Sequence, residues 1–232
     1  MTTYLPNSSC VHLRMRGLYA VTPDEPDTRI LVAQVGKALE GGARVVQYRN
    51  KAASSALAME QALALRELTR GTGATLIVND NAALALAVSA DGVHLGRNDG
   101  VAGFATNYDD LRRQASATSS VGGSRFIVGV SCYNEMARAD AAANAGADYL
   151  AFGSFYPSPT KPNATRAPLS LISEARQRYP LPLVAIGGIT VKNAPQLISA
   201  GVDAIAVISS LFNAHDIAIR AQQFNSLFPP HV

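Results

Sequence analysis

Cysteine is scarce in this chain of 232 residues: Cys10 and Cys132 stand far apart and belong to no metal-spaced cluster. That leaves no disulfide framework and no cysteine-built metal site, and both thiols are expected to be reduced in a cytosolic protein. Long apolar runs are missing too, since none approaches the ~18 to 20 residues that a membrane span needs. Residues 1–16 carry polar and charged side chains throughout, so no signal-peptide core can be drawn. The expectation is a soluble, cytoplasmic protein with no membrane partner. Aromatic residues amount to 6%, with no tryptophan, and they do not interleave with Lys and Arg. Without that interleaving or a basic stripe, nucleic-acid binding has no support. The formal charge of +3 suits an anionic small substrate, although scattered solvating lysines account for it equally well. There is also no Cys/His pair, no Ser/His/Asp set and no G-x-x-x-x-G-K-[ST] loop, so nucleophilic hydrolysis and P-loop chemistry lack support.

What is present is one arrangement, repeated. Short apolar runs lead at once into polar, chemically competent residues. Val45-Val46 precedes Gln47-Tyr48-Arg49-Asn50-Lys51, Leu76 to Val78 precedes Asn79-Asp80, and Val93-His94-Leu95 precedes Gly96-Arg97-Asn98-Asp99. Ile127 to Val130 precedes Ser131, and Tyr149 to Phe152 precedes Gly153 and Ser158-Pro159-Thr160-Lys161. Leu183 to Ile186 precedes Gly187-Gly188, and Ala204 to Val207 precedes Ile208-Ser209. If each run is a buried parallel strand, these groups share one face of one sheet, where a (β/α)8 barrel builds its active site. The length matches the roughly 250 residues usual for one such barrel. A composition of 48% hydrophobic and 16% charged residues is ordinary for a protein rich in buried parallel strands.

Residues 1–16 read as an irregular N-terminal extension, and 17–232 as a single (β/α)8 TIM barrel with eight parallel strands, the catalytic domain. Strands are expected at Leu18–Thr22, Val45–Tyr48, Thr75–Val78, Gly92–Leu95, Ile127–Val130, Tyr149–Phe152, Leu183–Ile186 and Ala204–Val207. Helical patterning lies between them: Arg29–Glu40 stopped by Gly41-Gly42, Ser54–Arg70 ending at Gly71, Ala82–Val88, Tyr108–Ala115, Asn134–Ala145, Ser170–Arg178, Asn193–Ala200 and His215–Leu227. Ser116 to Ser124 is small, polar and Gly-rich, and reads as a loop insertion. The Gly153 to Pro168 loop carries four prolines and reads as a lid or a surface excursion. A doubly wound open sheet is the competing topology.

Asp80 and Asp99 follow neighbouring strands, so their carboxylates are expected to converge above the rim. Two carboxylates with positions left for water and phosphate oxygens are how Mg2+ is usually held. Taken singly, each reads better as the N-cap of the next helix, and it is the convergence of the two that reverses the preference. Arg49, Lys51 and Lys161 are cations placed to surround a metal-bound anion such as a diphosphate, whose charge rises as it departs. Gly187-Gly188 and Ile208-Ser209 form a second pocket of the kind that holds phosphate after strands seven and eight. Gln47, Asn79 and Ser131 supply neutral hydrogen bonds suited to an uncharged heterocycle. His94 reads as a packing residue pointing into the barrel.

Taken in order, Gln47 to Lys51, Asn79-Asp80, Asp91 to Gly96 with Asp99, Gly129-Val130-Ser131, Thr160-Lys161, Ile186 to Ile189 and Ile208-Ser209 resemble the thiamine phosphate synthase family from Gly17 to about Phe212. The resemblance implies a transferase that joins a hydroxymethylpyrimidine diphosphate to a thiazole phosphate, carboxylated or not, by a dissociative mechanism. It places Gln47, Tyr48, Arg49, Asn50, Lys51, Asn79, Ser131 and Lys161 on the pyrimidine diphosphate, with Arg49, Lys51, Ser131 and Lys161 acting in catalysis. Asp80 and Asp99 would hold Mg2+, and Ser158, Pro159, Thr160, Gly188, Ile208 and Ser209 the thiazole phosphate. Partners are then small molecules, and a homo-oligomer is left open.

Four positions depart from the family pattern. Asn50 stands where an acidic residue is usual, Asn81 where Arg often follows Asn-Asp, Arg97 where Gln is usual, and Ser158 where Thr is usual. Asn50 and Arg97 are expected to make the site more positive, with Arg97 compensating for the missing Arg at 81. Two other readings stay open: a thiazole tautomerase of the same fold, and a non-catalytic barrel that binds thiamine intermediates.

Overall fold

The computed structural model describes residues 8–96, 108–118, 125–158 and 165–229. Eight parallel strands close on themselves in sequence order: β1 (Gly17–Val21), β2 (Val45–Tyr48), β3 (Thr75–Asn79), β4 (Gly92–Leu95), β5 (Ile127–Tyr133), β6 (Tyr149–Phe152), β7 (Leu183–Ile186) and β8 (Ala204–Val207). β1 completes the closure by pairing with β8 from Gly17↔Ala204 to Ala20↔Val207. The described helices are α1 (Ser8–Arg14), α2 (Thr28–Glu40), α3 (Ser55–Thr72), α4 (Ala82–Ala87), α5 (Tyr108–Thr118), α6 (Met136–Asn144), α7 (Ser170–Arg178), α8 (Ala194–Ala200), α9 (Ser209–Phe212) and α10 (Ile217–Asn225). No helix among the described residues is long and apolar enough to cross a membrane.

Alternation along each strand sorts side chains into two cores. One alternate set (Leu18, Ala20, Val46, Val78, Val93, Val128, Leu150 and their equivalents) packs under the helices. The other (Tyr19, Val21, Val45, Ile77, Ile127, Tyr149, Val184, Ala204) fills the barrel interior. Both sets are apolar, which is why the strands read as short continuous runs.

The N-terminal segment corrects an expectation. Ser8–Arg14 is helical, not irregular, and it belongs to the base of the barrel. Val11 and Met15, one turn apart, are buried in the interior cluster. Arg14 fastens the helix by donating to the Thr75 hydroxyl at 3.3 Å and pairing with Asp91 at 2.8 Å. The helix is short and has no acidic residue in its first turn, so its sequence carried little signal.

Other differences are smaller. α3 runs through Gly71 to Thr72 and is closed by Gly73, whose left-handed φ of 70° lets its amide reach back to Arg70. β5 continues past Val130 to Tyr133 through a register irregularity against β6. α5 takes in part of the expected insertion, up to Thr118, while 119–124 lie outside the described residues.

A carboxylate latch recurs at the base. Asp91, Asp148 and Asp203 each immediately precede an even-numbered strand. Each donates its backbone N–H to the carbonyl of Leu76, Val128 or Leu183 on the strand before, at 2.7–2.9 Å. Each carboxylate accepts the same residue's N–H in return, at 2.7–2.8 Å, and is held by an arginine: Arg66, Arg112 or Arg176. At the equivalent place before β2 stands Arg44. Asp148 is the most enclosed, with a side chain only 6% exposed between Arg112 and Arg125. Removing one partner of such a buried pair strands the other charges, so Asp148→Ala is expected to lower unfolding free energy by about 3–5 kcal/mol. Urea unfolding checks this, and a loss below about 1 kcal/mol, the worth of a solvated pair, would contradict it.

Candidate active site

At the C-terminal mouth of the barrel lies a cavity of about 770 Å³. Gln47, Arg49 and Lys51 reach it from β2 and the loop beyond, Asn79 and Asp80 from the end of β3 and the residue after it, and His94 and Ser131 from β4 and β5. Ser158, Gly187, Gly188, Ile208 and Ser209 line its other side. One cavity therefore gathers ten of the residues singled out from the sequence: Gln47, Arg49, Lys51, Asn79, Asp80, Ser131, Ser158, Gly188, Ile208 and Ser209. Arg97, Asp99, Pro159, Thr160 and Lys161 lie outside the described residues.

Two predicted residues turn away from this cavity. Alternation on β2 sends Gln47 and Arg49 inward and Tyr48 outward toward α3, where its hydroxyl donates to Gln61 Oε1 at 3.0 Å. Burial, with the nearby charge of Asp24, pushes that phenol up to about 12. Asn50 Nδ2 donates to Gln61 Oε1 at 3.1 Å and to the Glu25 carbonyl at 2.9 Å. Gln61 is fully buried and donates its own Nε2 to the same carbonyl at 2.7 Å. Tyr48 and Asn50 line a smaller neighbouring cavity of about 500 Å³ between α3 and α4.

The cluster gives Asn50 a role that charge alone did not indicate. Two acceptors face it, so the position requires a donor. Asn81 is likewise explained: its Oδ1 accepts the Leu84 N–H at 2.9 Å and caps α4, which an arginine would not do. Because Asn81 is the cap, Asp80 is not. Asp80 sits one residue earlier with a left-handed φ of 61°, its N–H donating to the His94 carbonyl at 2.8 Å.

Residues after β1, missed from the sequence, hold the backbone of Arg49 and Lys51 and the guanidinium of Arg49. The Thr22 hydroxyl both donates to the Arg49 carbonyl and accepts the Arg49 N–H, each at 2.8 Å. Asp24 Oδ1 accepts the Lys51 N–H at 2.8 Å and pairs with the Arg49 guanidinium at 3.1 Å. The only sequence signal was the position of Thr22-Pro23-Asp24 at a strand end. His94 does point into the barrel, but it is a bonded member of the cavity wall, with Nδ1 2.9 Å from the Tyr149 hydroxyl and Nε2 2.9 Å from Ser131 Oγ.

The opposite wall is built from backbone. Gly188 has φ 64°, and a β-carbon there would collide with the carbonyl oxygens of Tyr156 and Pro157. α9 is the extra short helix that follows β8. Ile208, Ser209 and Ser210 at its start line the cavity, and among the described residues no side chain caps it. Glycines that permit close backbone approach, beside uncapped amides after strands seven and eight, form the recurrent phosphate site of this fold.

Fold and site together define a (β/α)8-barrel enzyme with its cavity at the C-terminal mouth. A family model described as thiamine monophosphate synthase matches residues 18–211, and the chain belongs to that family. A thiamine-phosphate synthase of Azoarcus sp. (strain BH72) is 48% identical over 215 residues, covering 93% of this chain and 98% of that one. Its counterpart in Aromatoleum aromaticum is 50% identical over 215 residues, covering 93% and 97%. The solved thiamine phosphate pyrophosphorylase from Pyrococcus furiosus superposes with a TM-score of 0.76 at 34% identity, covering 92% of this chain and 96% of that one. These relatives lend no support to the tautomerase alternative.

The neutral cluster around Gln61 makes a direct prediction. Asn50→Asp sets a carboxylate against two acceptors and is expected to cost about 1–3 kcal/mol of stability. A thermal melt checks it, and an unchanged midpoint would mean that the Asn50 amide bonds contribute nothing.

Proposed function

We propose that this chain joins a hydroxymethylpyrimidine diphosphate to a thiazole phosphate, releasing diphosphate and forming thiamine phosphate. The observation that supports the reading is a single cavity with two differently built walls, each suited to an anion. Arg49, Lys51 and Asp80 stand on one, and the Gly187-Gly188 turn with the start of α9 on the other. Gln47, Asn79 and Ser131 lie among them as neutral hydrogen-bonding groups. A hydrolase acting on one phosphate ester needs one such wall; a transferase that aligns two anionic substrates needs two.

The diphosphate leaves as negative charge accumulates on it, so fixed cations at its oxygens act most strongly in the transition state. Arg49 and Lys51 have that role, preset by Thr22 and Asp24, and Lys161 joins them in this reading. The thiazole phosphate, held by Gly188, Ile208 and Ser209 with Ser158 to Thr160 alongside, is positioned so that its ring nitrogen meets the carbon the diphosphate leaves. No protein nucleophile is required; proximity and orientation supply much of the rate.

The donor chemistry suits Mg2+, which needs only one or two carboxylates and keeps several waters. Asp80 faces the cavity and is not spent on capping α4, and Asp99 is the second ligand in this reading. When bound, the ion neutralises charge on the departing diphosphate. A cytoplasmic location completes the proposal.

Purified protein given both substrates and Mg2+ is expected to release thiamine phosphate and diphosphate in equal amounts. Excess EDTA should abolish this, and Asp80→Asn should lower kcat by about two orders of magnitude or more. Full turnover in EDTA would remove the metal, and no product from folded protein would remove the reaction. Gly188→Ala is expected to raise KM for thiazole phosphate while leaving that for the pyrimidine diphosphate unchanged. The opposite pattern would mean that the two walls are exchanged.

A further inference from the structure

We propose that Tyr149 and His94 are positioning residues that fix the direction of a hydrogen-bonded chain across the barrel, so that the Ser131 hydroxyl meets the substrate as a donor. The chain has five members from five strands. Gln47 Nε2 donates to the Tyr19 hydroxyl at 2.7 Å, and Tyr19 and Tyr149 hydroxyls lie 2.8 Å apart. The Tyr149 hydroxyl is 2.9 Å from His94 Nδ1, and His94 Nε2 is 2.9 Å from Ser131 Oγ.

The direction follows from counting protons. Burial holds both phenols well above their ordinary range, so each hydroxyl keeps one proton. Tyr19 already accepts from Gln47, and its own proton goes to Tyr149. Tyr149, having accepted, donates to His94 Nδ1. An imidazole that accepts at Nδ1 carries no proton there and so has its one ring proton on Nε2. It therefore donates to Ser131 Oγ, and the serine proton is left to point into the cavity.

The surroundings hold this arrangement in place. The Tyr149 ring stacks on His94 with centroids 5.5 Å apart and meets Tyr19 edge-on at 6.2 Å. Gly129 makes room for it, since a β-carbon there would collide with the Tyr149 ring. That accounts for the glycine of Gly129-Val130-Ser131 by packing. A polar chain in a buried layer is costly unless every member is satisfied, so its presence beneath the cavity indicates a use. Resting on the proposed reaction, that use is to offer a donor to a ring nitrogen or phosphoryl oxygen of the pyrimidine diphosphate, which presents acceptors.

The first test uses the unliganded wild-type protein and does not depend on turnover. NMR of isotopically labelled histidine ring nitrogens, with the His94 signal assigned by its loss in His94→Gln, is expected to show a neutral ring protonated on Nε2. A proton on Nδ1, or an imidazolium at neutral pH, would overturn the proposed direction. In Tyr149→Phe the His94 signal should move toward a mixture of tautomers. The same variant should lower kcat/KM for the pyrimidine diphosphate about tenfold, the worth of a hydrogen bond to a charged group, without changing KM for thiazole phosphate. His94→Leu should lose as much, while His94→Gln, whose amide offers an acceptor and a donor, should recover most of it. Equal losses for both substrates, or a fully active His94→Leu, would reduce the chain to a structural element. An Nε2-protonated ring in a protein that forms no thiamine phosphate would leave the direction standing and remove the reaction.

Discussion

Inside a closed parallel sheet there is no water to satisfy a polar group, and alternation delivers every second side chain of every strand into that space. Each strand must therefore bring either apolar volume or a group whose partners arrive with it. The lower interior takes the first solution, with Val45, Ile77, Ile127 and Val184 closed beneath by Val11 of α1 and Met15 just after it. The layer below the mouth takes the second: Gln47, Tyr19, Tyr149, His94 and Ser131 satisfy one another in a single chain. A buried polar network of this kind favours one arrangement over others because a partial version leaves groups unsatisfied.

The same strands divide their labour between their two ends. At the base, Asp91, Asp148 and Asp203 tie strand to strand and strand to helix with charge and backbone hydrogen bonds. Nothing there faces the cavity. At the mouth, polar groups that in a purely structural barrel would cap helices or meet solvent are turned toward a common space. Asp80 illustrates the difference, since its neighbour Asn81 takes the cap. Asp24 and Thr22 show that preorganisation extends to the loops, where a carboxylate just after β1 holds the backbone of Lys51 and the side chain of Arg49.

Two departures from the family pattern read differently once their surroundings are known. Asn50 was expected to change the charge of the site, but its amide completes a cluster with Gln61, Tyr48 and the Glu25 carbonyl beneath the loop. Asn81 exchanges a cation for a helix cap. In both, the side chain answers to the hydrogen-bonding need of its immediate neighbours, which lie 11 to 25 residues away for Asn50 and three for Asn81.

The strands were legible because burial on both faces makes each a short apolar run, and five of the eight boundaries coincide with those expected: Val45–Tyr48, Gly92–Leu95, Tyr149–Phe152, Leu183–Ile186 and Ala204–Val207. The cavity residues were legible because a parallel barrel places whatever follows a strand on one face. By itself, then, the sequence determined the barrel and most of the residues at its mouth, since both follow from local periodicity and from order along the chain. Only the tertiary structure decided which neighbour each polar side chain meets. It turned Tyr48 and Asn50 away, made α1 a plug, and joined Tyr19, His94 and Tyr149 to Ser131. Those choices depend on register and closure, which bring together residues as far as 130 positions apart, and no local pattern encodes such a pairing.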